Sequence, residues 1–173
     1  MSERPLYAPW RMDYIRSLDT PPGAPGDAGK CFLCEAAAAS GEKEVSDRLV
    51  LWTTPLSVVL INRYPYTNGH LLVAPRQHVA DLELLSDDAA MDLQRQTARA
   101  IKLLKRAISP QGFNIGINLG RCVGAGLPGH VHQHVVPRWA GDTNFISVVG
   151  EVRVVPQAMS QLHAELMQYV AKV

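Results

Sequence analysis

The sequence predicts an α+β fold: a mostly antiparallel, five-stranded sheet with one long helix and a C-terminal helix. Three observations predict it. Hairpin strands come first, a single helical stretch of over twenty residues follows, and two more strands come after it, with no regular strand–helix alternation. That stretch, 86–108, carries Leu93, Ala100, Leu103, Leu104 and Ala107 as one apolar stripe. The segment His130 to Val136 places histidines at every second position, the period of a strand.

Composition sets the outer limits. With 173 residues, 47% apolar and 19% charged, the chain reads as one globular domain, or one with a substantial arm. A net charge of +1 excludes a broad nucleic-acid footprint but leaves a local phosphate site open. No run approaches the roughly 18 apolar residues of a membrane span, and Met1-Ser2-Glu3-Arg4-Pro5 has no secretory core. Three cysteines make no disulfide framework, so a cytoplasmic protein with reduced thiols is expected.

The elements follow in order. Leu6 to Leu18, with Tyr7, Trp10, Arg11, Tyr14 and Arg16, reads as a packed arm ending in a short helix. The stretch 20–26 is broken by proline and glycine. After Cys31 and Cys34, Glu35 to Ala39 can form a helical turn or two, ended by Gly41. Leu49–Trp52 and Leu56–Asn62 read as strands around the turn Thr53-Thr54-Pro55, and Gly69–Ala74 is a third strand. Ser86 caps the long helix, Asp87 and Asp88 suit its positive end, and Lys102, Lys105 and Arg106 suit the other, before Pro110 closes it. Phe113–Leu119 is a strand, Gly120–Gly129 a glycine-rich loop, His130–Val136 the last strand and Ser160–Val170 a terminal helix. No repeat or domain boundary is visible.

His130, His132 and His134 would share one face of their strand, with Val131, Gln133 and Val135 on the other. A row of imidazoles serves a metal, a phosphate or catalysis. Direct attack on phosphorus needs one free imidazole nitrogen, with the other held by an acceptor, and donors around the phosphoryl oxygens. His132, at the centre, has a flanking donor on each side. The loop before it, through Gly124 and Gly126, can turn backbone N–H groups toward a phosphate. A metal reading also stands: Cys31 and Cys34 have ligand spacing, and His78 with His130 would complete a zinc tetrahedron. Spacing alone does not select His78 over His70 or His163, and His163 reads as an ordinary helix-face residue. A redox-active pair would need a helix start after a strand, whereas this pair follows a proline/glycine break.

His130-Val131-His132-Gln133-His134-Val135-Val136 resembles the motif of the histidine triad (HIT) family of nucleotide hydrolases and transferases, as does the stretch Val58 to Pro75. Gln133 departs from the apolar pattern on the face away from the row. The flanks, Leu6 to Ile15 and Pro137 to Phe145, resemble the prokaryotic branch of diadenosine tetraphosphate phosphorylases or hydrolases. The resemblance implies attack by His132 on an α-phosphorus, giving a nucleotidyl-histidine intermediate. It implies His134 as donor to the phosphate or bridging oxygen, Asn118 near the leaving side and Asn62 on the ribose. Gly124 and Gly126 would line the nucleotide site. It further implies structural zinc on Cys31, Cys34, His78 and His130, an adenine dinucleotide or mononucleotide substrate, and a two-fold homodimer with aromatics such as Trp10, Tyr14, Trp139 and Phe145 at the contact or over the pocket. The division expected is an arm (1–44), a core domain (45–138) and an extension (139–173) within one globular unit. Members with phosphorylase activity can carry serine where this chain has Gly126, which leaves phosphate and water as alternative acceptors.

Overall fold

The computed structural model describes residues 31–120, 122, 123, 125–142 and 156–173. Its sheet has five antiparallel strands in the order β1-β2-β3-β5-β4. These are β1 (Val50–Thr53), β2 (Ser57–Ile61), β3 (Leu71–Pro75), β4 (Gly112–Ile117) and β5 (Gln133–Arg138). The expected α+β architecture is what the chain adopts.

Alternation along the strands sorts the two faces. Val59, Ile61, Leu71, Val73 and Val135 point to one side, where they pack on α3 (Asp87–Ile108) and α4 (Met159–Val170) through Leu93, Ala100, Leu103, Leu104, Leu162 and Leu166. Val58, Leu60, Leu72 and Ala74 point to the other, against Leu33, Ala36 and Ala37 of α1 (Phe32–Ala38). Every residue of β2 and β3 is therefore buried, and this is why both read as continuous apolar runs. Each fully buried leucine on α3 contributes roughly 1.5–3 kcal/mol by leaving water.

Helix α3 begins as its sequence requires. Ser86 accepts from the Ala89 N–H at 3.3 Å, and Asp87 and Asp88 occupy the first turn. It ends at Ser109, whose φ of 47° is left-handed, ahead of Pro110. Gly69 shows where a glycine is required. Its φ is 78°, and a Cβ would come within 2.5 Å of Ile108 Cδ1 and 3.2 Å of Leu104 Cδ2. That close approach seats the residue after it, His70, against the helix-backed sheet.

Four expectations need correction. The last strand begins at Gln133, so His130 and His132 lie in an extended lead-in, tied down by the Val131 N–H to the Val79 carbonyl at 2.7 Å. Gly41 does not end a helix but starts one: with φ 77° it is the N-cap of α2 (Glu42–Asp47). Helix α1 starts directly after Cys31, earlier than the Glu35 expected, so Cys31 is its N-cap and Cys34 lies in its first turn. His163 is buried, and its Nε2–H donates to the Val50 carbonyl at 2.8 Å, which occupies a backbone acceptor of edge strand β1. The arm with Trp10 and Tyr14, and also Gly124 and Phe145, lie outside the described residues.

Candidate functional site

The site occupies the α1 face of the sheet. His134 sits opposite Leu72 on one side and Gly116 on the other. The Asn62 N–H donates to the His70 carbonyl at 2.9 Å, which puts their side chains on the same face. Ile117 pairs with Gln133, so Asn118, half-buried, follows at the end of the ladder beside His132. Gln133 points the other way, buried, and accepts from Gln94 of α3 at 3.0 Å.

Hydrogen bonds fix the tautomers. His132 Nδ1 lies 2.8 Å from the His130 carbonyl; a carbonyl only accepts, so Nδ1 carries the proton and Nε2 keeps its lone pair. His134 is set the opposite way, through a residue that sequence reasoning offered only as an alternative metal ligand. The Tyr66 N–H donates to His70 Nδ1 at 3.1 Å, which leaves the His70 proton on Nε2. That Nε2–H donates to His134 Nδ1 at 2.9 Å, so the His134 proton is on Nε2. His134 Nε2 is buried and has no protein partner among the described residues. A lone pair on His132 thus stands beside an unspent N–H on His134, with ring centroids 5.0 Å apart. A buried, unpartnered donor is costly unless a ligand oxygen meets it. The sequence signal for His70 was its parity with Leu72 and Ala74 on β3, which assigns it to the site face.

Burial shapes the protonation states. It is the leading cause that lowers the pKa of His130, His132 and His134, the last to about 4 with a second push from His132. All three are neutral at pH 7. His130 is 0% and His132 5% exposed, so these two rings are closed off from solvent. A consequence follows for acid stability. The folded pKa of His134 is below the unfolded 6.5, so the unfolded chain binds more protons between the two values. This contribution is complete above pH 6.5 and is lost as pH falls toward 4. Denaturant titrations at pH 7.5 and 4.5 should show a smaller acid loss in His134→Gln than in the unsubstituted protein. Equal losses would assign acid lability elsewhere.

His130 turns from the row toward the cysteines. Its Nε2–H donates to the Pro75 carbonyl at 2.8 Å, freeing Nδ1, which lies 3.2 Å from Cys31 Sγ and 3.5 Å from Cys34 Sγ. His78 Nδ1 is 3.2 Å from Cys34 Sγ. The four ligand atoms lie within 4.8 Å of one another. A tetrahedral zinc with ordinary bond lengths would set sulfur and nitrogen about 3.5 Å apart, so this set fits zinc. The Pro75 carbonyl supplies the acceptor that metal-binding histidines use to fix their tautomer. Without metal, burial and the neighbouring Cys31 raise the Cys34 thiol to about 11, and a bound cation would reverse that cost. All three cysteines are free thiols.

Between α1 and β2 lies a cavity of about 310 Å³, lined by Phe32, Glu35, Arg48, Leu60 and Asn62 among others. Its volume falls at the lower end of the roughly 300–1,000 Å³ of small-molecule sites. Asn62 connects it to the histidines: Oδ1 accepts from the Tyr64 N–H at 3.0 Å, and Nδ2 lies 3.2 Å from His70 Nδ1. Sequence reasoning reached Asn62 and missed Phe32, Glu35 and Arg48, whose arrival at one cavity depends on how α1 docks. Of the loop glycines, Gly126 is exposed, with open space where a Cβ would point.

The sheet thus presents a lone-pair imidazole beside a donor imidazole, next in the chain to a residue of a Cys2His2 cluster. The HIT domain profile matches residues 43–141, and the chain belongs to the HIT domain family. Within it the chain is related to the AP-4-A phosphorylase/hydrolase branch: the AP-4-A phosphorylase of Mycobacterium tuberculosis (strain ATCC 25618 / H37Rv) is 38% identical over 156 residues, 89% of this chain and 77% of that protein. Adenosine 5'-monophosphoramidase hnt1 of Schizosaccharomyces pombe is 33% identical over 85 residues, 49% of this chain and 60% of that one. A Zn-bound histidine triad family protein from Mycobacterium smegmatis shares the fold, with a TM-score of 0.66 at 23% identity over 84% of this chain and 96% of that one.

Proposed function

We propose that this protein is a nucleotidyl hydrolase or transferase that cleaves dinucleoside polyphosphates, with diadenosine tetraphosphate as the type substrate. The observation that carries the reading is the opposed tautomers of His132 and His134, each enforced by its own hydrogen bond. His132 Nε2 attacks the α-phosphorus; the new N–P bond forms as the bond from phosphorus to the leaving polyphosphate oxygen breaks. The His134 Nε2–H donates to the phosphoryl or bridging oxygen as charge grows there, and Asn118 stands by the leaving side. An acceptor oxygen then bonds to phosphorus, the N–P bond breaks, and the acceptor's proton leaves through the site. Asn62 holds the ribose, and Gly124 and Gly126 belong to the loop facing the phosphates.

Cys31, Cys34, His78 and His130 would hold a zinc ion whose contribution is to tie α1 to the catalytic strand. Residues 1–44 then form an arm on the core of 45–138, with 139–173 completing the same globular unit. Among the described residues no helix is long and apolar enough to cross a membrane. A homodimer is part of the proposal. Among the described residues β4 is an edge strand with Ile115 46% exposed, and a partner's β4 beside it would cover that edge. Light scattering should give about twice 18.9 kDa at micromolar protein; a mass near 18.9 kDa would rule the dimer out.

Incubation with diadenosine tetraphosphate, with and without inorganic phosphate, tests the activity. ADP plus ATP formed only with phosphate means phosphorolysis; AMP plus ATP formed without it means hydrolysis. Open space at Gly126 admits a serine, and Gly126→Ser should shift products toward ADP without lowering Tm. The similarity to a monophosphoramidase supports a second reading, a nucleoside phosphoramidase. Turnover of an adenosine phosphoramidate with none of the dinucleotide would establish it. A binding module without turnover would cleave neither.

A further inference from the structure

We infer that Tyr66 is a positioning residue for the reaction proposed above: its ring closes the His70–His134 pair against water and so keeps the His134 donor neutral and aimed. The inference rests on that reading for the role of His134 and extends it to the loop between β2 and β3. The Tyr66 ring centroid is 4.8 Å from that of His70 and 6.0 Å from that of His134, with interplanar angles of 30° and 25°. His70 is 0% exposed and His134 half-buried, while Tyr66 is 47% exposed, so part of its ring rests on the imidazoles and the rest meets water. Anchoring the loop does not require that ring. The Thr67 hydroxyl donates to the Pro137 carbonyl at 2.9 Å, and the Tyr64 N–H to Asn62 Oδ1 at 3.0 Å. The N–H of residue 66, which meets His70 Nδ1 at 3.1 Å, is present whatever side chain stands there.

What the ring adds is exclusion of water from one bond. The His70 Nε2–H meets His134 Nδ1 at 2.9 Å, and this bond alone keeps the His134 proton on Nε2. A second proton on His134 can go only to Nδ1, where it would face the His70 Nε2–H; two donors then meet and the bond is lost. Water admitted to the pair favours that charged form, because burial is the leading cause that holds His134 at about 4. Attraction of an imidazolium to the tyrosine face works the other way. At 6.0 Å it is at the outer reach of such contacts, so shielding outweighs it. Among the described residues the titratable groups facing His134 are His70, leading into β3, and His132, leading into β5. β3 and β4 place Leu72 and Gly116 beside it, and Arg138 further along β5 is paired with Asp142. None of these takes over the shielding. The rival role for Tyr66, pinning its loop by apolar packing, would affect Tm and leave the titration of His134 untouched.

Histidine NMR on the nucleotide-free protein separates these roles without requiring turnover. In the unsubstituted protein His134 should titrate near 4, and the His70 Nε2–H should give a resonance protected from exchange at pH 7.5. Tyr66→Ala should raise the His134 titration by roughly one unit toward 6.5 and erase the protected resonance. Tyr66→Phe keeps the ring and should restore both. Tyr66→Leu, which keeps apolar bulk for the fold, should move both in the same direction as alanine. With diadenosine tetraphosphate, the acid limb of kcat/KM should shift upward in Tyr66→Ala by the same amount as the NMR titration. His134 titrating near 6.5 in the unsubstituted protein, an unmoved titration in the alanine and leucine variants, or a phenylalanine variant shifted as far as alanine would overturn the inference. Shifts as expected in a protein that cleaves no dinucleotide would overturn the proposed activity alone. Normal turnover with an unmoved titration in Tyr66→Ala would overturn the role of Tyr66 alone.

Discussion

His132→Ala should abolish turnover of diadenosine tetraphosphate, by on the order of 10⁴-fold or more, while AMP still binds. The substitution removes the lone pair proposed to attack phosphorus and leaves the cavity along Phe32, Leu60 and Asn62 in place. His134→Ala should cost about a hundredfold, since a donor to the leaving side assists the step without forming its bond. Mass spectrometry of quenched reactions should find a nucleotidyl adduct on the unsubstituted protein and none on His132→Ala. Near-normal rates in His132→Ala would eliminate imidazole attack. The variant should also be less stable than the unsubstituted protein. His132 is 5% exposed, and its loss leaves the His130 carbonyl without the N–H that meets it at 2.8 Å. An unsatisfied buried carbonyl costs about 1–3 kcal/mol. Activity must therefore be read well below the variant's Tm.

The chain states much of this in its order of residues, and what it omits has physical causes. Apolar runs, period-two alternation and helical spacing suffice for five strands, α3 and α4: β2 and β3 bury both faces and read as continuous runs, while the two helices bury one face whose repeat appears directly in the sequence. Helix α2 was missed because no residue in it is buried, so it carries no apolar repeat, and Gly41 was read as an end when its positive φ opens the helix. The histidine row was legible as chemistry but not as geometry. Alternation puts three rings on one face, yet His130 turns to the cysteines because its Nε2–H finds the Pro75 carbonyl, 55 residues away in the chain. His70 was similarly obscured: its role depends on the pairing of β3 with β5, which sets it beside His134. Tautomers belong to the same category, since each is decided by a backbone group that only the fold brings near.

Removal of the metal should unfold more than it slows. Cys31→Ser is expected to lower zinc from about one per chain to none by elemental analysis. It should also cost about 3 kcal/mol or more, roughly 10 °C in Tm at this length. The cause is positional. Cys31 and Cys34 belong to the start of α1, His78 follows β3, and His130 leads into β5, so one ion would bind three separate chain segments. Without it, Cys31 remains 2% exposed beside a second thiol whose pKa has risen to about 11, a buried polar group with no charge to neutralise. Catalysis should be less affected. Four protein ligands complete a tetrahedral shell and leave no position for water or phosphate. His132 and His134 take their tautomers from the His130 carbonyl and from His70, and neither bond passes through a ligand atom. Chelated protein that remains folded should therefore turn over within about tenfold of the zinc-bound form, with its His132 adduct still detectable. If activity instead vanished while circular dichroism and Tm were unchanged, and returned on adding zinc, the ion would belong to the chemistry. His130 would then link metal to nucleophile through its own backbone, because its side chain faces the cluster while its carbonyl holds the His132 Nδ1–H.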